Sequence, residues 1–232
     1  MTVQSVILAA GMGTRLARPH PKSMTELRDG RTIMHQQVHN LESAFGEDLR
    51  LTVVVGYKLE MILEHVPHAS FVYNENFDQT NTSKSLLKAL RNSGDGGVLW
   101  MNGDVVFDPQ IMEMLRPYIE RDESFVTVDV SSVSDEEVKY TVDEDGFIRQ
   151  LSKRVPATEA KGEAVGINFV SSKAKKDLIK RLEEVDEQDY FEGAIELHIG
   201  QEGGQWLPVD ISAFYAVEVD FPDDLIRANA RL

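Results

Sequence analysis

The chain has 232 residues, with 39 Asp and Glu against 24 Lys and Arg, for a formal net charge of −15. That length can bury a substantial core without covalent staples, and the charge speaks against nucleic acid as a bulk partner. The absence of cysteine excludes disulfides, thiol catalysis and cysteine metal sites.

Thr2 to Ala10 is the first predicted strand, an apolar run ending in a glycine turn. Ile33 to Phe45 follows as a helix, with Ile33, Met34, Val38, Leu41 and Phe45 at helical spacing. Leu51 to Val55 is a strand closed by Gly56-Tyr57, Leu59 to Val66 a short helix, and Ser70 to Tyr73 a strand. Thr82 to Arg91 is a helix opened by Asn81 or Thr82 as its cap. Val98 to Met101 is a strand running into Asn102-Gly103-Asp104, and Pro109 to Glu120 is a helix with Asp108 as cap. This alternation implies a mostly parallel sheet with helices on both faces.

The rhythm changes in the second half. Phe125 to Val130 is a strand, and Val138 to Val142 and Phe147 to Ser152 flank a hairpin turn at Asp143-Glu144-Asp145-Gly146. Val165 to Val170 is a strand, Lys173 to Glu184 and Tyr190 to Gln201 are helices, Trp206 to Val209 and Phe214 to Val219 are late strands, and Pro222 to Arg231 is a closing helix. The expected fold is α/β: a Rossmann-like, mostly parallel mixed sheet flanked by helices, with a small antiparallel extension. One domain, residues 1–232, is expected. No run of about 18 apolar residues and no basic, apolar leader is present, so the expectation is a cytoplasmic protein away from membranes.

Charge is unevenly spread. Residues 183–224 hold thirteen Asp or Glu and no Lys or Arg, while Arg15, Arg18, Lys22, Arg28 and Arg31 gather near the first glycine turn. A solvated acidic surface explains most of those carboxylates. A local basic pocket for polyphosphate, with acids close enough to hold a cation, explains the remainder.

The glycine turn carries the clearest chemistry. Val6-Ile7-Leu8-Ala9-Ala10-Gly11-Met12-Gly13-Thr14-Arg15-Leu16 is followed by Pro21-Lys22. Gly11 and Gly13 let the backbone turn and bring N–H groups near a ligand. Arg15 offers a fork and Lys22 a point charge to phosphate oxygens. A dinucleotide-binding loop would have a third glycine where Leu16 stands, and the Gly-Lys-Ser/Thr of a P-loop is absent. The string L-A-A-G-x-G-T-R with a Pro-Lys shortly after resembles the signature of nucleotidyltransferases that activate sugar 1-phosphates and related phosphorylated alcohols.

Two carboxylates stand at strand ends. Asp104 follows an apolar strand, where ligands of open α/β sheets bind and where Mg²⁺ takes few carboxylates plus substrate phosphates; it also suits a turn cap. Asp220 ends the strand of Tyr215-Ala216-Val217-Glu218-Val219-Asp220 and precedes Pro222, so a helix cap is open for it too. The phrase E-V-D-F-P-D-D-L is similar to the closing motif of the same family, and the resemblance implies that Asp104 and Asp220 hold Mg²⁺ together.

The remaining expectations also come from the resemblance. It implies that Arg15 and the loop N–H groups of Gly11, Gly13 and Thr14 hold the β- and γ-phosphates and that Lys22 sits on the α-phosphate. Backbone from Leu8, Ala9 and Ala10 to Gly11, together with Gly56-Tyr57, would face the base. In the phosphocholine cytidylyltransferase branch an Asn is followed four residues later by Ser, which Asn81 and Ser85 match; a simple helix start is the alternative. That branch also has an aromatic pair followed by an acidic residue near Tyr190-Phe191-Glu192, where an aromatic face beside a carboxylate suits a cationic or hydroxylated head group. Lys153 and the segment Glu163-Ala164-Val165-Gly166-Ile167 look like the acceptor side. Residues 1–123 would form mainly the nucleotide-binding half and 124–232 mainly the acceptor-binding half.

Only six residues separate Arg15 from Lys22, a shorter loop than the sugar and phosphocholine enzymes use and closer to that of methylerythritol phosphate cytidylyltransferases. The implied partners are a nucleoside triphosphate, CTP first, and a small phosphorylated or phosphonate acceptor. A glycosyltransferase of GT-A type shares the sheet but would use Asp-x-Asp, and Asn102-Gly103-Asp104 lacks the first Asp. A ligand-sensing domain without catalysis is the other option, weakened by the intact set of cations and carboxylates.

Overall fold

Val3–Ala9 (β1) is an almost unbroken apolar run, and it lies at the centre of a sheet covered on both faces. Its side chains alternate: Ile7 and Ala9 join the core on one face, Val6 and Leu8 the core on the other. The structure, a computed structural model, describes residues 2–13, 16, 19–131, 133–134 and 136–232.

From β1 the chain winds through α1 (Ile33–Phe45), β2 (Leu49–Val55), α2 (Leu59–His65), β3 (Ser70–Tyr73), α3 (Thr82–Arg91) and β4 (Val98–Asn102). All four strands run parallel, with β1 between β2 and β4. The chain continues through β5 (Val105–Phe107), α4 (Gln110–Glu120), β6 (Phe125–Asp129), the hairpin β7 (Lys139–Val142) and β8 (Ile148–Ser152), and β9 (Glu163–Val170). It closes with α5 (Ser172–Glu184), α6 (Phe191–Glu202), β10 (Leu207–Asp210), β11 (Ala216–Glu218) and α7 (Pro222–Asn229). The main path is β10-β6-β9-β4-β1-β2-β3, and β9 runs antiparallel to both of its neighbours β4 and β6. The fold is therefore α/β, a mostly parallel mixed sheet flanked by helices with a small antiparallel sheet beside it.

Helices α1, α2 and α4 cover one face, burying Met34, Val38, Leu41, Ile62 and Ile111 against the sheet. Helices α3, α5 and α6 cover the other, with Leu86, Leu178, Leu182, Ile195 and two fully buried tryptophans, Trp100 and Trp206. A third cluster of Leu16, Leu27, Ile33, Val106, Val219 and Ala228 ties α7 to the first glycine turn.

The helices at 33–45 and 82–91 and the strand at 70–73 fall where the sequence places them. Asn81 caps α3, its side-chain oxygen accepting from Thr82 N at 2.8 Å. One strand has no counterpart in the sequence reading. β5 is three residues long and pairs antiparallel with β11, apart from the main sheet. Three residues are too few to show a period, yet this small sheet carries the closing motif back to Asp104.

Candidate active site

Parallel register sets Leu8 beside Asn102, so the glycine turn after β1 and the Asp104 turn after β4 emerge at the same edge. Gly103 N donates to Leu8 O at 2.9 Å. A Cβ on Gly103 would lie 2.8 Å from that carbonyl, so the approach needs glycine. Val219 N donates to Asp104 O at 3.0 Å, which draws the end of β11 to the same point. Lys22 sits on a 3-10 turn (Lys22–Met24) behind the glycine turn. Gly13 has φ +61, and a Cβ there would press to 2.5 Å from Lys22 Cγ.

These elements converge on one contact. Lys22 Nζ donates to Asp104 Oδ2 at 3.1 Å and to Asp220 Oδ1. All three side chains are mostly withdrawn from solvent. Burial works against the lysine charge, but Asp104 and Asp220 outweigh it and hold the Lys22 pKa above its ordinary value.

Asp220 does not spend its carboxylate on the helix that follows. Asp224 caps α7, its Oδ2 accepting from Asp220 N at 3.0 Å and from Phe221 N at 2.7 Å. The capping role left open for Asp220 falls to Asp224, at the third position of α7, and the Asp220 side chain faces Lys22.

A cleft of about 1050 Å³ opens over this centre. Leu8, Ala9, Gly11, Gly13, Lys22, Asn81, Asp104, Tyr190, Glu192 and Asp220 all line it. Ala10 is buried behind it and accepts from Tyr57 N at 3.0 Å, so Gly56-Tyr57 braces the turn from the side. Ser85 is buried within α3 and its Oγ accepts from Asn74 Nδ2 at 3.1 Å; it does not line the cleft with Asn81. Thr14 and Arg15 lie outside the described residues.

The far side of the cleft is acidic. Glu137, Glu163, Glu192 and Glu218 line it with Lys153, whose Nζ stands 5.4 Å from the Tyr190 ring centroid. Burial pushes the Glu192 pKa up to about 7, against the pull of Lys153. Burial, then repulsion from Asp104, Glu137 and Glu192, pushes Glu218 up to about 8. Glu218 Oε1 accepts from Gly166 N at 3.0 Å and from Asn102 Nδ2 at 3.4 Å. The loop from Val185 to Tyr190 is fastened to α3: Lys84 Nζ donates to Leu182 O at 3.0 Å and Val185 O at 2.6 Å, and Asn81 Nδ2 to Gln188 O at 3.2 Å.

Sequence reasoning missed Glu137 and a row of amides on α1. Gln36, Gln37 and Asn40 are buried among apolar neighbours and donate to carbonyls of the 102–107 segment. Polar residues at the core-facing positions of an amphipathic helix were the signal available for them.

The architecture is that of the nucleotidyltransferases. The structure of an inositol-1-phosphate CTP transferase from T. maritima aligns over 99% of this chain and 96% of its own, with TM-score 0.79 at 18% identity. A CTP:phosphocholine cytidylyltransferase from Streptococcus pneumoniae aligns over 99% of both chains, with TM-score 0.76 at 16% identity. Residues 5–190 match the family described as MobA-like NTP transferase domain, and the chain belongs to that family. It is 27% identical, over 99% of its length and 38% of the relative's, to a CMP-5'-(3-aminopropyl)phosphonate synthase of Streptomyces rubellomurinus. It is 33% identical, over 49% of its length and 48% of the relative's, to a UTP–glucose-1-phosphate uridylyltransferase of Haloferax volcanii. The chain thus spans less than half the length of these curated relatives. Among the described residues, no helix is long and apolar enough to cross a membrane.

Proposed function

We propose that this chain transfers a nucleoside monophosphate, CMP from CTP in the first instance, to a small phosphorylated or phosphonate acceptor and releases pyrophosphate. The observation that carries the reading is the Lys22 ammonium held between Asp104 and Asp220 at the floor of the cleft. An ammonium and two carboxylates beside a glycine turn are the parts that anionic displacement at phosphorus requires.

Among the described residues, no group of three or more His, Asp or Glu is arranged to hold a metal. Mg²⁺ does not need one, because it takes one or two carboxylates and completes its shell with phosphates and water. Asp104 and Asp220 already share one cation, so the donor set fits Mg²⁺ held by these two residues. Bound there, the ion would neutralise phosphate charge.

The chain's own groups supply the remainder. The turn through Gly11 and Gly13 seats the triphosphate, with Thr14 and Arg15 as its expected continuation. Lys22 moves from the carboxylates to the α-phosphate oxygens, whose charge grows in the transition state. An acceptor oxygen attacks the α-phosphorus in line, and the bond from that phosphorus to the bridging β-oxygen breaks. Its electron pair leaves with pyrophosphate. The acceptor is already an anion, so no general base and no covalent enzyme intermediate are needed. Leu8 to Gly11, braced by Gly56-Tyr57, faces the base. Tyr190 and Glu192 hold the far end of the acceptor, and residues 1–123 and 124–232 divide nucleotide from acceptor.

CTP is preferred because the relative that matches nearly the whole chain is named as a CMP conjugate synthase. A sugar-1-phosphate acceptor with UTP is the second reading, supported by the higher identity of the Haloferax relative over about half the chain. A matrix of the four nucleoside triphosphates against aminoalkyl phosphonates, phosphocholine, inositol 1-phosphate and sugar 1-phosphates, read by pyrophosphate release with Mg²⁺, tests both. Release with CTP and a phosphonate or phosphocholine is expected. Turnover confined to UTP and a sugar phosphate gives the second reading, and no release with any pair overturns both.

A further inference from the structure

Asp104 stands in the break between β4 and β5. The carbonyls of Asn102 and Val105 flank it on either side, and both accept from Gln37 Nε2, at 2.8 and 2.9 Å. Gln37 comes from the middle of α1 and is fully buried. It uses both amide hydrogens in these bonds, while its Oε1 is buried without a partner. An orphaned carbonyl is an unfavourable way to fill a core that a thioether would fill as well. What the amide adds is the bracket around Asp104. Gln36 and Asn40, its neighbours on α1, donate instead to Phe107 O, at 2.6 and 3.0 Å, at the far end of β5.

We infer that Gln37 is a positioning residue for the metal-binding carboxylate: by pinning the carbonyls on both sides of Asp104 it fixes the direction of that side chain. The inference rests on the reading of Asp104 as a metal ligand. Second-layer hydrogen bonds of this kind set metal affinity by roughly ten- to a hundredfold. Here the second layer acts through backbone, because Asp104 has its neighbours' carbonyls held rather than its own oxygens.

Gln36 supplies the control, since Gln36→Met removes a buried amide from the same helix without touching the bracket. Mn²⁺ binding to the full chain, read by electron paramagnetic resonance with the metal alone, is compared for Gln37→Met, Gln36→Met and Asp104→Asn, with melting curves for each. Gln37→Met is expected to weaken Mn²⁺ by at least about tenfold relative to Gln36→Met at matched stability, and to lower kcat more than it raises the nucleotide KM. Equal Mn²⁺ affinity in the two Met variants, with Asp104→Asn impaired, overturns the role of Gln37 alone. Wild-type affinity in Asp104→Asn overturns the metal assignment and the inference with it. If a Met variant fails to fold, the apolar pair Gln37→Leu and Gln36→Leu makes the same comparison.

Discussion

Replacing Asp220 by Asn removes one negative charge and keeps the side chain's shape. In the structure that charge faces Lys22, and the backbone N–H groups of Asp220 and Phe221 that lead into α7 are taken by Asp224. The stability cost follows from the ion pairs. The Lys22–Asp104 contact at 3.1 Å corresponds to a Coulomb attraction of about 5 kcal/mol at an effective dielectric near 20, and the Asp220 contact is of similar order. Desolvation of the three partly buried groups offsets most of it, leaving about 1 kcal/mol per pair. Asp220→Asn keeps the Asp104 pair, so its melting temperature should fall by only about 2–4 °C. Its activity should fall by roughly two to three orders of magnitude at ordinary Mg²⁺, or ~3–4 kcal/mol of transition-state stabilisation. Initial-rate pyrophosphate release across a Mg²⁺ titration, beside a thermal melt, measures both. If both carboxylates serve one ion, as proposed, Asp104→Asn should behave alike and the double variant should be little worse than either single. Full activity in Asp220→Asn would refute the two-carboxylate centre. A melting loss far beyond a few degrees would instead make Asp220 a folding residue.

Lys22→Ala should lower kcat by roughly a hundredfold or more while CTP remains bound; near-normal turnover would take Lys22 out of the reaction. Tyr190→Ala and Glu192→Gln should raise the acceptor KM well above any change in the nucleotide KM, and equal changes in both would return these residues to a purely structural role at the start of α6. The pH dependence of Glu192 has a definite sign. Its folded pKa of about 7 lies above the ordinary 4.5, so the folded state binds the extra proton and stability falls as pH rises between those values. The full difference is ~3 kcal/mol, absent below about pH 4.5 and complete above about pH 7. Glu192→Gln should flatten the wild-type slope of melting temperature across that window; an unchanged slope would show that Glu192 titrates as an exposed carboxyl.

Much of this protein was written in local sequence. The apolar run Val6 to Ala10 followed by Gly11 and Gly13 marked a buried strand and its turn, because burial on both faces leaves a continuous hydrophobic stretch. The helices at 33–45 and 82–91 were legible from period and caps, which act over one or two turns. Asp104 and Asp220 could be singled out as strand-end carboxylates, and the structure brings them to one ammonium although 116 positions separate them in sequence.

Tertiary structure decided what those residues face. A helix cap and a cation partner are both open for Asp220 in the sequence; the Val219–Asp104 backbone bond brings it to Lys22, and Asp224 in the first turn of α7 accepts from Phe221 N instead. Asn81 and Ser85 lie one turn apart on α3, yet only Asn81 reaches the cleft, because Asn74 holds Ser85 in the interior. β5 exists through its pairing with β11, and Gln37 gains its meaning from two carbonyls more than sixty positions away in the chain. Local sequence sets backbone preference and which side of an element is apolar. Which polar group meets which depends on long-range packing, and it becomes fixed only when the sheet closes.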